Sequence, residues 1–318
     1  MSESETMTFS EAFDAALKIR LLSLYLSIAA IVILGLTGWL WWTKVSVDPV
    51  RVFNGMLDNS LSTSSTTLGM SQAPSGENVA KESIQLQFGA TNAAHALTTI
   101  SQNGNTVVTE TIGTQTADYT RYTSVKTSKK DQTGKPLNTS NIQNVWAKTT
   151  AQEAAESQNT PLFKQTVLGI GLPIGSIPVP MGNLNYDQRA SLLEEIKADN
   201  VYVTNYAKMK KGTVNGRLAY AYPVTLQPIT YARMMQNFAK AMGLHDLDGL
   251  DPNSLSSQQP IELTLVVDAH AKQLVEIDYA RGTYKETYSN YGAISPINIP
   301  KKTITNAELQ QRLSVLQS

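Results

Sequence analysis

The sequence predicts an α+β protein in which a transmembrane helix precedes a long antiparallel sheet with inserted and appended helices. Three observations carry that expectation. The segment "LLSLYLSIAAIVILGLTGWLWW", Leu21 to Trp42, has no charged residue. Short period-two alternations separated by turn signals run from about Thr66 to Lys148 and resume at Val201. Two stretches with helical spacing, "NYDQRASLLEEIKAD" and "PITYARMMQNFAKAMG", lie among those strands.

In chain order, Met1 to Ile19 reads as a short tail with a capping box at Thr8 and Glu11 and an apolar face of Phe9, Phe13 and Leu17. The uncharged segment, at about 1.5 Å per residue, reaches roughly 33 Å, enough for a bilayer core. Trp39, Trp41 and Trp42 crowd one end, as in a headgroup belt. The run is too long for a cleaved signal peptide, so an uncleaved signal-anchor is expected. Lys18 and Arg20 on one side balance Lys44 and Arg51 on the other, so flanking charge leaves orientation open. The tail being short and the remainder large, the architecture places the C-terminal domain outside the cytoplasm. The expected division is a tail at 1–20, a membrane helix at 21–43 and an extracytoplasmic domain at 44–318, localised to the cell membrane.

Asp48-Pro49 is a helix start, with a capping carboxylate and proline at the first helical position. Val50, Phe53, Met56, Leu57 and Leu61 follow at helical spacing. The Thr-, Ser-, Gln- and Asn-rich stretch beyond reads as a meander with one wet face, turned at Asn103-Gly104 and at "DQTGKP". The helix after Asn185 buries Leu192, Leu193 and Ile196. Strands return at "VYVTNYAKM" and, after the Asn215-Gly216 turn, at "RLAYAYPVTL". A second helix starts at Pro228. The clearest hairpin pairs Ile261, Leu263, Leu265 and Val267 with Val275, Ile277 and Tyr279 through "DAHAK". A last strand, "GTYKETYSNYG", precedes a helix capped by Thr305 and Glu308.

Composition excludes several function classes. Lys plus Arg number 26, as do Asp plus Glu, so the chain lacks the basic excess of a nucleic-acid binder. The small basic clusters, Lys208 with Lys210 and Lys211 among them, read as solvated surface. Without cysteine there is no disulfide, thiolate site or lipidated cysteine. His95, His245 and His270 are far apart in sequence, and no nucleophile elbow or zinc helix occurs. "GIGLPIG" lacks the glycine spacing of a dinucleotide loop and the lysine of a phosphate loop. Glu194 and Glu195 are adjacent on a helix and point apart. "DLDGLD", Asp246 to Asp251, has the wrong glycine position for a calcium loop. The expectation is a non-enzyme with no cofactor, no metal and no nucleic-acid partner.

The C-terminal run "IELTLVVDAHAKQLVEIDY", followed by "TYKETYSNYGAISPINIP", resembles the LolA/LolB and LppX/LprG superfamily. The likeness lies in a strand closing on Asp, a returning strand, a strand ending in Tyr-Gly and an I-x-I-P exit. It covers Asp48 to Ile304 in layout and about Ile261 to Pro300 in residues. The resemblance implies an antiparallel half-barrel with covering helices that holds lipid or lipoprotein acyl chains. LppX and LprG relatives are tethered through a cysteine that this chain lacks, and the uncharged helix would serve instead. A tethered protein cannot shuttle as LolA does, so local loading, presentation or sensing is implied.

Two features would line such a cavity. "LGIGLPIGSIPVPMG", Leu168 to Gly182, has no charge and is broken by glycine and proline. Its Leu172, Ile174, Ile177 and Val179 form either a rim gate or an extended segment packed under the sheet. Met234, Met235, Phe238 and Met242 give the Pro228 helix either an adaptable lid or ordinary core. Two functions follow. One is a bilayer-anchored protein that binds a lipid or other apolar ligand non-covalently. The other is a scaffold or adhesion module with a filled core. Cavity volume and the burial of these side chains discriminate them.

Overall fold

The computed structural model describes residues 27–39, 41, 47–72, 79–130, 134–157, 159–169, 178–279, 284–293 and 295–315. The chain divides into a unit Met1–Arg51 and a unit Val52–Ser318.

In the first unit, residues 27–39 form a helix (α1) that exposes its apolar side chains all round, Ile31 and Leu34 among them. The expected transmembrane helix is corrected here: no helix among the described residues is long and apolar enough to cross a membrane. The described part of α1 reaches only about 20 Å at about 1.5 Å per residue, against roughly 30 Å of hydrocarbon. The rest of the 21–43 expectation lies outside the described residues, apart from Trp41.

Helix α2, Pro49–Leu61, starts as Asp48 dictates: the Arg51 N–H donates to Asp48 Oδ1 at 3.0 Å. It buries Phe53, Met56, Leu57 and Leu61 together with Val52, while Val50 points out. Beyond it the described residues form a thirteen-stranded sheet. One meander comprises β1 (Ser65–Gln72), β2 (Val79–Gln87), β3 (Ala93–Gln102), β4 (Asn105–Thr114), β5 (Ala117–Lys126) and β6 (Ala147–Thr150). Another comprises β7 (Tyr202–Thr204), β8 (Lys210–Val214), β9 (Arg217–Leu226), β10 (Ile261–Asp268), β11 (Gln273–Tyr279) and β12 (Tyr284–Ser289). The first and last of these twelve join them, β1 lying antiparallel to β12.

A second correction concerns the antiparallel half-barrel. The sheet is mixed, because β13 (Ile304–Thr305) pairs parallel to β6. That pairing was illegible in sequence, since a two-residue strand has no periodicity to read. Before reaching it, residues after β12 pass Gln85, whose Nε2 donates to Ser295 O at 2.7 Å, and Gln87, whose Oε1 accepts from Ile297 N at 2.9 Å. The α+β class itself stands.

The remaining helices are α3 (Ala151–Glu156), α4 (Leu162–Leu168), α5 (Tyr186–Ala198), α6 (Pro228–Ala241) and α7 (Asn306–Val315). Asn185 and Gln188 make a full capping box at α5, and the Thr305 hydroxyl accepts from Glu308 N at 3.1 Å at α7. Helices α3 and α4 are each at most two turns long, too short for an apolar period to show, although Thr150 and Glu153 form a capping box at α3. Helix α4 has no cap of its own; its Leu162 N–H donates to Asp118 Oδ1 at 3.0 Å, from β5. Gly113 of β4 permits this approach, since a methyl there would sit 2.7 Å from Leu162 Cβ.

Directly opposed residues share a face of the sheet. Leu68 opposes Ile84 and Tyr288, and Leu265 opposes Ile277 and Tyr222; all are buried, which defines the core face. Phe53 from α2 packs edge-on to Tyr222, ring centroids 5.2 Å apart. A smaller core of Ile142, Ala147 and Leu309 lies under α7. The opposite face carries Lys, Glu, Thr and Gln side chains, as the alternation predicted.

Candidate functional site

The cavity-lining expectation can be followed residue by residue. Leu172, Ile174 and Ile177 lie outside the described residues. Val179 is fully buried, and so are Met181, Met234, Met235 and Phe238, while Met242 is half-buried at the end of α6. The two features do meet. A methyl group on Gly182 would sit 2.9 Å from Met242 Sδ and 3.3 Å from a Phe238 ring carbon, so only glycine lets the chain pass that close. The segment is tied down on both sides. Tyr202 Oη donates to Pro178 O at 2.8 Å, Gly182 N to Ser60 O at 3.0 Å, and Leu184 N to Leu61 O at 2.9 Å. These contacts make the described part of the apolar stretch a packed strip between α2 and α6.

Helix α6 is held from its polar side as well. Arg233 pairs with Asp199 at 2.9 Å, Asn237 donates to both Glu195 oxygens, and Gln188 Nε2 donates to Ala241 O at 3.1 Å. Glu195 is therefore engaged with α6, while Glu194 faces solvent, and no carboxylate pair forms there.

The core face holds one fully buried carboxylate, Glu286 of β12. Tyr288 Oη donates to Glu286 Oε2 at 2.6 Å, and Tyr279 Oη donates to Oε1 at 3.2 Å. Burial drives the Tyr288 and Tyr231 hydroxyls well above the usual tyrosine range, and the nearby Glu286 charge adds to both shifts. Burial of such a group is tolerable because these hydrogen bonds replace its water. Sealed from solvent, Glu286 links β12 to β11 through Tyr279. The sequence did carry a signal for it: Glu286 is two residues from Tyr288 in a strand, hence on the same inward face.

The open face holds a different network. His95 Nε2 lies 2.8 Å from Glu110 Oε1, and Glu110 Oε2 accepts from Arg121 Nε at 2.7 Å. Arg121 in turn stacks 4.6 Å over the Trp146 ring. This chain crosses β3, β4, β5 and the entry to β6, and it satisfies itself. His245 pairs with Asp248 at 3.0 Å, Lys164 with Asp246 at 2.8 Å, and Asp251 caps a short 3₁₀ turn through Asn253 N. The acidic loop is thus engaged by its own residues and by Lys164 of α4. No group of three or more His, Asp or Glu arranged for a metal occurs among the described residues.

A hollow of about 570 Å³ opens on the same face near the sheet's end. Its walls include Val203, Tyr206, Lys208, Pro223, Thr225 and Glu262. Pro223 has no N–H to offer, and at this point the edge changes from β7 to β8 through a 3₁₀ turn, Tyr206–Lys208. This interruption replaces the single expected strand over 201–209. The lining mixes charge, hydroxyl and apolar groups in a way unlike an acyl-chain cavity. No family model and no curated protein matches the chain.

Proposed function

We propose that this protein is an interaction scaffold with a filled core, presenting the polar face and edge of its sheet to a protein partner. The observation that carries the reading is the complete burial of Val179, Met234, Met235 and Phe238. Side chains that would line an acyl cavity instead touch their own chain. Side chains enclosed in this way would lose contacts of their own if a lipid tail took their place, which supports the filled-core reading.

Attachment to a lipid surface through the apolar segment around α1 belongs to the same proposal. Ile31 at 69 % and Leu34 at 71 % exposure leave an apolar helix surface that water does not favour. A vesicle flotation assay with and without residues 27–39 tests this part, and equal recovery of both forms in the aqueous fraction sinks it.

Native mass spectrometry of the purified chain, with titration of a fluorescent fatty acid, tests the filled core. The expected spectrum shows the bare chain mass and the titration no saturable uptake. A stoichiometric lipid adduct, or uptake that Met235→Trp abolishes, overturns the scaffold reading in favour of a carrier.

A further inference from the structure

Among the described residues β7 and β8 pair with β9 alone, so they form one margin of the sheet. The backbone pattern of β8 follows from its turn. Asn215 and Gly216 have φ of 50° and 76°, the left-handed pair of a two-residue type I′ hairpin. In that hairpin the flanking residues, Val214 and Arg217, exchange both backbone hydrogen bonds, and the pattern alternates from there. Val214, Gly212 and Lys210 therefore face β9. Thr213 and Lys211 turn their N–H and C=O groups away from the sheet. The opposite strand agrees: Leu218, across from Thr213, accepts from Ala269 N at 2.9 Å and so points away from β8.

This open row is exposed from Lys210 to Thr213 and is flanked by Lys208, Lys210 and Lys211. None of the three lysines has an ion pair among the described residues; Lys211 Nζ lies 5.7 Å over the Tyr220 ring. A lysine-bearing edge repels a second copy of itself and is a common guard against self-pairing. The same charge is complementary to a strand of opposite sign. The hollow beside Lys208 adds room for a side chain next to the edge.

We infer that β8 receives an extended acidic polypeptide segment as an added strand. Backbone groups of Lys211 and Thr213 pair with the incoming main chain, and its carboxylates lie beside Lys208 and Lys210. This deepens the scaffold reading and rests on it, naming the partner as an acidic segment in strand conformation.

The test titrates a fluorescein-labelled peptide of alternating Thr and Glu into the full chain. Saturable binding that weakens as salt rises is expected. Thr213→Pro removes one outward N–H and is expected to weaken binding about tenfold, while Thr213→Val keeps that N–H and the parent affinity. The double variant Lys208→Glu, Lys210→Glu is expected to weaken it by at least about tenfold as well. Amide exchange gives a readout independent of any variant: Lys211 and Thr213 gain protection when peptide is added. Absence of binding, absence of that protection, or equal binding of an alternating Thr and Lys peptide each overturns the inference. Competition by single-stranded DNA that persists in Thr213→Pro also overturns it, as a surface recognising charge alone. Failure here with no lipid uptake removes only the edge site; lipid uptake removes the scaffold reading itself.

Discussion

Strands β3 to β5 and strands β9 to β11 belong to one sheet and are similarly paired, yet their side chains live in different surroundings. In β9 to β11 nearly every second residue is sealed, including Tyr220, Tyr222, Val224, Leu263, Leu265 and Ile277. In β4, only Ile112, Gly113 and Thr114 are buried, and in β5 only Ala117. The difference lies in what covers each region. Met234, Met235 and Phe238 of α6 and Phe53 of α2 are buried in the main core, whereas the meander is met by the short α4 at one end and by α7 over the small cluster at Ile142. Ladder hydrogen bonds alone hold a sheet in place, but burial of apolar area supplies most of the driving force. The β9–β11 region is therefore the anchor of the fold, and the outer meander is stabilised through its attachment to it.

The largest effect that separates the two regions is truncation in the anchor. Phe238→Ala is expected to cost about 3 to 5 kcal/mol, since it opens a cavity beneath fully packed neighbours. Urea unfolding of the parent and the variant measures it, and a cost under half of that range would mean α6 is loosely seated. Next is Tyr288→Phe, which deletes the 2.6 Å bond to buried Glu286. Its expected cost is about 1 to 3 kcal/mol, because a carboxyl oxygen sealed from water loses its donor. A neutral result would show that Glu286 finds another donor there.

The third prediction concerns the meander's own helix. Burial pushes the Asp118 carboxyl from its ordinary 3.8 to about 6, opposed by the bond from the Leu162 backbone. Because the folded value is the higher one, the folded state holds a proton that the unfolded chain has released between about pH 4 and about pH 6. Asp118 therefore favours folding most below that window and loses the benefit as pH rises through it. Asp118→Asn is expected to flatten the corresponding slope in a plot of stability against pH. An unchanged slope would show that another group sets it. The smallest effect belongs to Leu97, exposed on β3. Leu97→Ala is expected to shift stability by less than about 0.5 kcal/mol. A loss comparable with that of Phe238→Ala would erase the contrast between the two regions.

Much of this arrangement is legible in the chain, for identifiable reasons. The Asp48 cap, the Asn103-Gly104 and Asn215-Gly216 turns and the Ile261–Tyr279 hairpin are local signals, and local geometry reproduces them. Residues that act across the sheet were silent. Asp118 caps a helix forty-four positions away, and Tyr279 reaches Glu286 from the neighbouring strand β11, whereas Tyr288, two residues on, is the one partner of Glu286 that strand spacing reveals. The lysines at 208, 210 and 211 looked like ordinary surface, because strand spacing alone does not reveal that β8 stands at a margin. The uncharged run at 21–42 met a length criterion in sequence, whereas no helix among the described residues is long and apolar enough to cross a membrane.

By itself the sequence determined the α+β class, the wet and dry faces of the sheet and its Asn-Gly turns, since each depends on the period and chemistry of neighbouring residues. It left "LGIGLPIGSIPVPMG" and the methionine helix balanced between a gate and a core. Tertiary structure places Val179, Met234, Met235 and Phe238 in the interior. It also placed the parallel β13 and the open edge of β8. The physical reason is that burial belongs to pairs of surfaces: an apolar side chain becomes a lining or a core only once the element facing it is in place.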